Sequence, residues 1–238
     1  MSELLVSVRS VEEAQLVLDR EIPFLDVKEP ALGSLGRATD VTLAQVARLA
    51  DGVPHVTVTA ALGELAEVDP RSWRATPGVR LYKMGLASTA NVNWREELRG
   101  WKERIETVTD ASLVAVAYAD HHLAEAPPPD AVLDAAVADE FPFFLIDTFS
   151  KSAGTLFTWL LPERLSKLIG RAQQSGLRVA IAGSLALEDI GRVVGAGADV
   201  VAVRGAACVG RQRSGGVDPQ RLDALLRSVA LDRDVQSD

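Results

Sequence analysis

The chain has 238 residues, 47% hydrophobic and 24% charged with only 5% aromatic; a core of Val, Leu and Ala fits one domain, and a single α/β barrel takes about 250 residues. A net charge of −8 excludes a non-specific nucleic-acid binder, which needs a cationic surface to displace phosphate counterions. The lone cysteine, Cys208, has no internal disulfide partner, the N-terminus lacks the basic and long apolar parts of a leader, and no apolar run reaches membrane-spanning length, so a cytoplasmic protein with no membrane partner is expected.

Short apolar, β-branched runs predict strands at 4–8, 24–28, 55–60, 81–85, 113–120, 143–148, 178–183 and 199–205. Segments with helical spacing follow them in turn: VEEAQLVLDR, TLAQVARLA, LGELAEVDPRSWRA, NWREELRGWKERI, DAVLDAAVADE, RLSKLIGRAQQSG, ALEDIGRVVGAG and DPQRLDALLRSVA. The third of these is the least regular. Strand and helix alternating eight times implies parallel βαβ units closing into a single (β/α)8 TIM barrel over residues 1–238, with a doubly wound open sheet as the alternative. The prolines at 127–129 read as a loop entering a helix, and the tail from about residue 232 is expected to fray.

In such a barrel the active site lies at the C-terminal ends of the strands. Lys28 closes strand two, Lys83 lies in strand four, Asp120 ends strand five, Asp147 ends strand six with Lys151 four residues on, and Arg204 is near the end of strand eight. Alternation turns Leu25 and Val27 to the helical shell and Asp26 and Lys28 to the barrel interior. One interior Asp–Lys pair is as easily structural as catalytic. Three lysines and two aspartates at strand ends favour a catalytic cluster, because gathered ionisable groups mark active sites. A lysine that is desolvated among other cations loses preference for its charged form, and its neutral amine can attack a carbonyl to give a Schiff base. If the chain turns helical after strand six, Asp147 and Lys151 become neighbours.

Glycine-bearing strand ends occupy the corner where these barrels bind phosphate: AGSLA after strand seven and RGAACVG after strand eight. The amides of Gly183, Ser184, Gly205 and Ala206 are the candidate phosphate donors there. GSLG at 33–36 serves either a second anion or a flexible loop. His121 and His122 are adjacent and make a poor chelating pair, and His55 begins a strand. With no Cys cluster, Walker motif or G-x-G-x-x-G loop, neither a metal nor a cofactor is expected. The helix holding Trp94 and Trp101 reads as an outer packed helix or a subunit contact.

FLDVKEPALGSLG, LYKMGLA, LIDTFSKSAGTLF and VAVRGAACVGRQRSGGVD, in this order, resemble the (5-formylfuran-3-yl)methyl phosphate synthase family of methanofuran biosynthesis, over essentially the whole chain. The resemblance implies a TIM-barrel lyase that condenses two molecules of glyceraldehyde 3-phosphate into a phosphorylated furan aldehyde, losing phosphate and water. Carried onto matching positions, it implies Lys28 as the Schiff-base lysine, Lys83 as proton acceptor, and Asp147 and Lys151 as supporting groups, without a metal. Asp26 is expected to hold Lys28 in place. Rival expectations on the same barrel are a general class I aldolase or phosphosugar isomerase, and a non-catalytic phosphometabolite-binding protein. A homo-oligomer is expected, since barrels commonly associate through their outer helices.

Overall fold

The computed structural model describes residues 2–235, with side chains through residue 230. Eight strands run in chain order: β1 (Glu3–Val8), β2 (Phe24–Val27), β3 (Thr57–Glu64), β4 (Val79–Gly85), β5 (Ser112–Tyr118), β6 (Phe143–Asp147), β7 (Arg178–Ile181) and β8 (Val200–Val203). Each pairs in parallel with its sequence neighbours, and β8 returns to β1 through Val6↔Val203, so the sheet is a closed barrel and not an open doubly wound one. Helices α1 (Val11–Leu18), α2 (Asp40–Leu49), α3 (Trp94–Val108), α4 (Pro129–Ala138), α5 (Leu156–Trp159), α6 (Pro162–Gln174), α7 (Ile190–Gly195) and α8 (Pro219–Val235) form the shell. This is a single (β/α)8 TIM barrel.

Local chemistry explains where the helices begin. The Ser10 hydroxyl accepts from the Glu13 amide at the start of α1, and the Thr39 hydroxyl does the same for Thr42 at α2. Pro129 and Pro162 open α4 and α6, where a missing N–H costs nothing. The strands are buried on both faces, as covered parallel strands must be, and β2 and β8 carry no exposed residue.

The third unit departs from expectation. β3 runs on to Glu64, His55 lies before it, and the segment between β3 and β4 is a series of turns in place of a helix. Its Trp73 does the covering work instead. That indole is buried and meets Tyr82 edge-on at 5.6 Å and Trp101 of α3 at 5.9 Å. Trp94 and Trp101 therefore belong to a packed outer helix, with Leu98, Trp101 and Ile105 buried. α8 stays helical to Val235, past the point where fraying was expected, and residues 236–238 lie outside the described residues. No helix among the described residues is long and apolar enough to cross a membrane.

Since Trp73 stands in for a helix, Trp73→Ala is expected to cost about 3–5 kcal/mol, the range for deleting a large buried aromatic. Urea unfolding of the variant measures this, and a loss below about 1 kcal/mol would show that the turn segment is held by something else.

Candidate active site

Parallel register sets the interior. Asp26 of β2 lies beside Ser7 of β1 and Thr59 of β3, so all three side chains point into the barrel at one level. Asp26 is fully buried, and both of its oxygens are occupied. Ser7 Oγ donates to Oδ2 at 2.7 Å, Thr59 Oγ1 donates to Oδ1 at 2.8 Å, and the Lys83 ammonium is ion-paired with Oδ1. Burial alone raises the Asp26 pKa, but the charges of Lys83 and Lys28 and these hydrogen bonds outweigh it and hold the carboxylate below its usual range. Beneath this layer the barrel is filled by Leu5, Phe24, Leu81, Phe143 and Leu145.

Above it opens a cavity of about 340 Å³. Lys28, the residue after β2, and Lys83, inside β4, reach it with Asp147 from the end of β6 and Lys151 from the loop beyond. Lys28 is 8% exposed, and its amine makes no hydrogen bond or close ion pair among the described residues. The sequence-based expectation that Asp26 holds Lys28 is thus corrected, because Asp26 is committed to Lys83 and acts on Lys28 through its field alone. Burial lowers the Lys28 pKa most, the Asp26 and Asp147 carboxylates oppose it, Lys151 and Lys83 reinforce it, and the result is about 7 against an ordinary 10.5.

Asp147 and Lys151 are paired at 2.5 Å, as their spacing suggested, but the chain between them is a bend and not a helix. Asp147 also accepts from its neighbour's amide, Thr148 N, at 2.7 Å and from Ser34 Oγ at 2.9 Å. Burial pushes this carboxyl up, yet the Lys151 and Lys28 charges together with its hydrogen bonds bring it down to about 2. Ser34 lies in the GSLG segment, is buried, and has its single hydroxyl proton shared between Asp147 and the Thr148 carbonyl, 3.0 Å away. That segment is therefore a brace between the β2 and β6 loops, a role the sequence reading did not assign.

Gly183, Ser184, Gly205 and Ala206 all line the cavity, and their amides donate to no group among the described residues. Gly183 has φ of +112°, and a Cβ there would stand 3.0 Å from Leu156 and 3.1 Å from Thr148. Ser184 adopts φ of +52°, uncommon outside glycine, and its buried hydroxyl has no partner among the described residues. Amides left without a partner at a glycine-rich corner have N–H groups available to donate to an anion.

Two expected supporting groups turn out to act elsewhere. Arg204 lines the cavity, but its guanidinium is consumed by Glu13 of α1, bidentately at 2.5 and 3.1 Å, and by the carbonyls of Ser7, Arg213 and Gly215. It ties β8 to β1 and has no donor left. Asp120 is fully buried outside the cavity lining and accepts from the amides of Phe149 and Ser150 at 2.7 and 2.8 Å. It fixes the loop that presents Lys151. The sequence reading also passed over Ser7, Thr59 and Arg213; the first two were hidden because a hydroxyl in a strand carries no signal until its register with Asp26 is known.

The model for the family described as 4-HFC-P synthase matches residues 4–226. The chain belongs to the 4-HFC-P synthase family. A (5-formylfuran-3-yl)methyl phosphate synthase from Methanothermobacter thermautotrophicus is 31% identical over 219 residues, covering 90% of this chain and 92% of that one. The enzyme of the same name from Methanopyrus kandleri is 32% identical over 220 residues, with the same coverage of each chain. Among solved structures, N-(5'-phosphoribosyl)anthranilate isomerase from Pyrococcus furiosus superposes with a TM-score of 0.60 at 12% identity, covering 97% of this chain and 100% of that one, a likeness of fold alone. As a member of the 4-HFC-P synthase family, the chain is an enzyme.

The Lys28 amine is held against its own preference. A group whose folded pKa lies below its unfolded value destabilises the fold at low pH and ceases to do so as pH rises past the unfolded value. Lys28→Met is accordingly expected to raise the thermal stability at pH 7 and below, with the gain shrinking between about 7 and 10.5. Unfolding temperatures across that range check it, and a gain independent of pH would contradict the depressed amine.

Proposed function

We propose that the protein condenses two molecules of glyceraldehyde 3-phosphate into (5-formylfuran-3-yl)methyl phosphate, with loss of phosphate and water, through a Schiff base on Lys28. The product would serve methanofuran biosynthesis. One observation carries the reading: Lys28 is an amine with no partner of its own among the described residues, brought to about 7 so that much of it is neutral at pH 7, in a cavity whose glycine corner offers amides without partners among the described residues. A neutral amine attacks an aldehyde carbon, the carbinolamine loses water, and the protonated imine then accepts electron density from the adjacent carbon. A triose phosphate matches the cavity at both ends, its carbonyl to Lys28 and its dianion to the amides of Gly183, Ser184, Gly205 and Ala206.

Lys83 and Lys151 divide the proton work. Each is paired with a carboxylate, Lys83 with Asp26 and Lys151 with Asp147, which fixes where its amine stands in the cavity. Lys83 takes the role of proton acceptor that the family resemblance implies, with Asp26 holding its amine in place. The Asp147–Lys151 pair, held in place by Ser34, Thr148 and the Asp120-fixed loop, stands ready to place the second molecule and to protonate a leaving oxygen.

Incubation with glyceraldehyde 3-phosphate is expected to yield a furan chromophore and inorganic phosphate, with kcat/KM rising on the acid side through about pH 7 as Lys28 loses its proton. Lys83→Met is expected to lower kcat about 10²–10⁴-fold, the usual range for a proton-transfer group. Reversible cleavage of a sugar phosphate without a furan would assign an aldolase instead, and phosphate-ester binding unaffected by Lys28→Ala with no turnover would assign a binding protein.

A further inference from the structure

Joining two triose phosphates brings two dianions into one cavity, and the glycine corner accommodates one. The charges facing the cavity are mostly spent: Lys83 on Asp26, Lys151 on Asp147, and Arg204 on Glu13. Arg211, on the β8–α8 loop, is exposed and pairs with Glu188 at 3.4 Å. Arg213, two residues on, lines the same cavity and has no carboxylate partner among the described residues. Its side chain makes one hydrogen bond, from Nη2 to the Gly33 carbonyl at 3.1 Å, which leaves N–H groups on Nε and Nη1 without a partner among the described residues.

The Arg213 side chain spans from the glycine corner to the loop after β2. A Cβ on Gly205 would lie 3.5 Å from Arg213 Cγ, so the stem passes over a residue that has no side chain to obstruct it. From there it reaches Gly33 in the loop after β2, crossing β1, because β8, β1 and β2 are consecutive in the barrel. The head therefore reaches the β2 side of the mouth, bonded to Gly33, whose chain neighbour Ser34 holds Asp147. It also acts on Lys151: burial pushes that amine down, Asp147 holds it up, and the Arg213 charge adds to the downward push. The Asp147 carboxylate acts on both cations, and a phosphate dianion on the unpaired N–H groups of Arg213 adds a second anion beside the same pair.

We propose that Arg213, together with Lys151 of the same cavity, forms a second phosphate subsite that holds the phosphate group of the second triose phosphate at the β2 side of the mouth. This rests on the two-substrate condensation proposed above. Its ligand chemistry, a phosphate monoester or free phosphate dianion, is tested separately from turnover.

Calorimetric titration of the full chain with inorganic phosphate is expected to resolve two sites in the parent and one in R213M, which keeps the stem and removes the charge. R213K, which keeps the charge without the fork, is expected to retain the second site at lower affinity. In steady state, R213M should raise KM for glyceraldehyde 3-phosphate and the inhibition constant of phosphate by about 10–100-fold, the worth of one charge-assisted contact, with a smaller change in kcat. A parent that binds one phosphate, or an R213M variant that binds two or keeps parental KM and phosphate inhibition, overturns the subsite. A parent that binds two phosphates yet forms no furan from glyceraldehyde 3-phosphate in phosphate-free buffer would defeat the condensation while leaving the second anion site standing.

Discussion

Lys28 is left without a counterion because the carboxylates near it are already taken. Asp26 is surrounded by Ser7, Thr59 and Lys83, and Asp147 by Ser34, the Thr148 amide and Lys151. Two filled carboxylates can stabilise the ammonium form of Lys28 only through their fields, and the neighbouring Lys151 and Lys83 cancel much of that. Desolvation then decides the outcome. Displacing an amine from 10.5 to about 7 costs roughly 1.4 kcal/mol for each pH unit, so the fold carries several kcal/mol of destabilisation at neutral pH to present this nitrogen. The same burial that would be a fault in an ordinary core residue brings the neutral form of this amine within reach near pH 7.

The barrel makes such an arrangement possible through register. Ser7, Asp26 and Thr59 sit side by side because β1, β2 and β3 pair in parallel with matched positions, and period-two alternation points all three inward. A one-residue slip of β2 would bury Leu25 and Val27 inside and send Asp26 into the shell, leaving Lys83 without its carboxylate. The loops are braced as firmly as the strands. Ser34 crosses from the β2 loop to the β6 end, Arg204 joins β8 to Glu13 of α1, and Asp120 pins the amides before Lys151. Around this frame the glycine corner contributes backbone N–H groups with little side-chain bulk, where an oxyanion can approach.

Much of this was legible in the chain before any coordinates. Eight apolar runs alternating with helical spacing were enough for the barrel, and the charged positions at strand ends led to Lys28, Lys83, Asp147 and Lys151, all of which line one cavity. Alternation also placed Asp26 inside correctly. What could not be read were partners distant in sequence. Nothing local told that Arg204 would be consumed by Glu13, 191 positions away, or that Asp120 would turn to the amides of the next βα loop. The third unit failed for a different reason: LGELAEVDPRSWRA has helical spacing only in part, and its buried Trp73 satisfies the need for cover without a helix. Arg213 went unnoticed because an arginine in a Gly-rich loop reads as solvated until its reach across β1 to Gly33 is known.

Reductive trapping goes straight to the covalent step. Borohydride added during incubation with glyceraldehyde 3-phosphate, followed by peptide mass mapping, is predicted to leave a stable secondary amine bearing the three-carbon phosphate on Lys28. An adduct on Lys83 or Lys151 in its place, or none at all while the furan forms, would contradict the account.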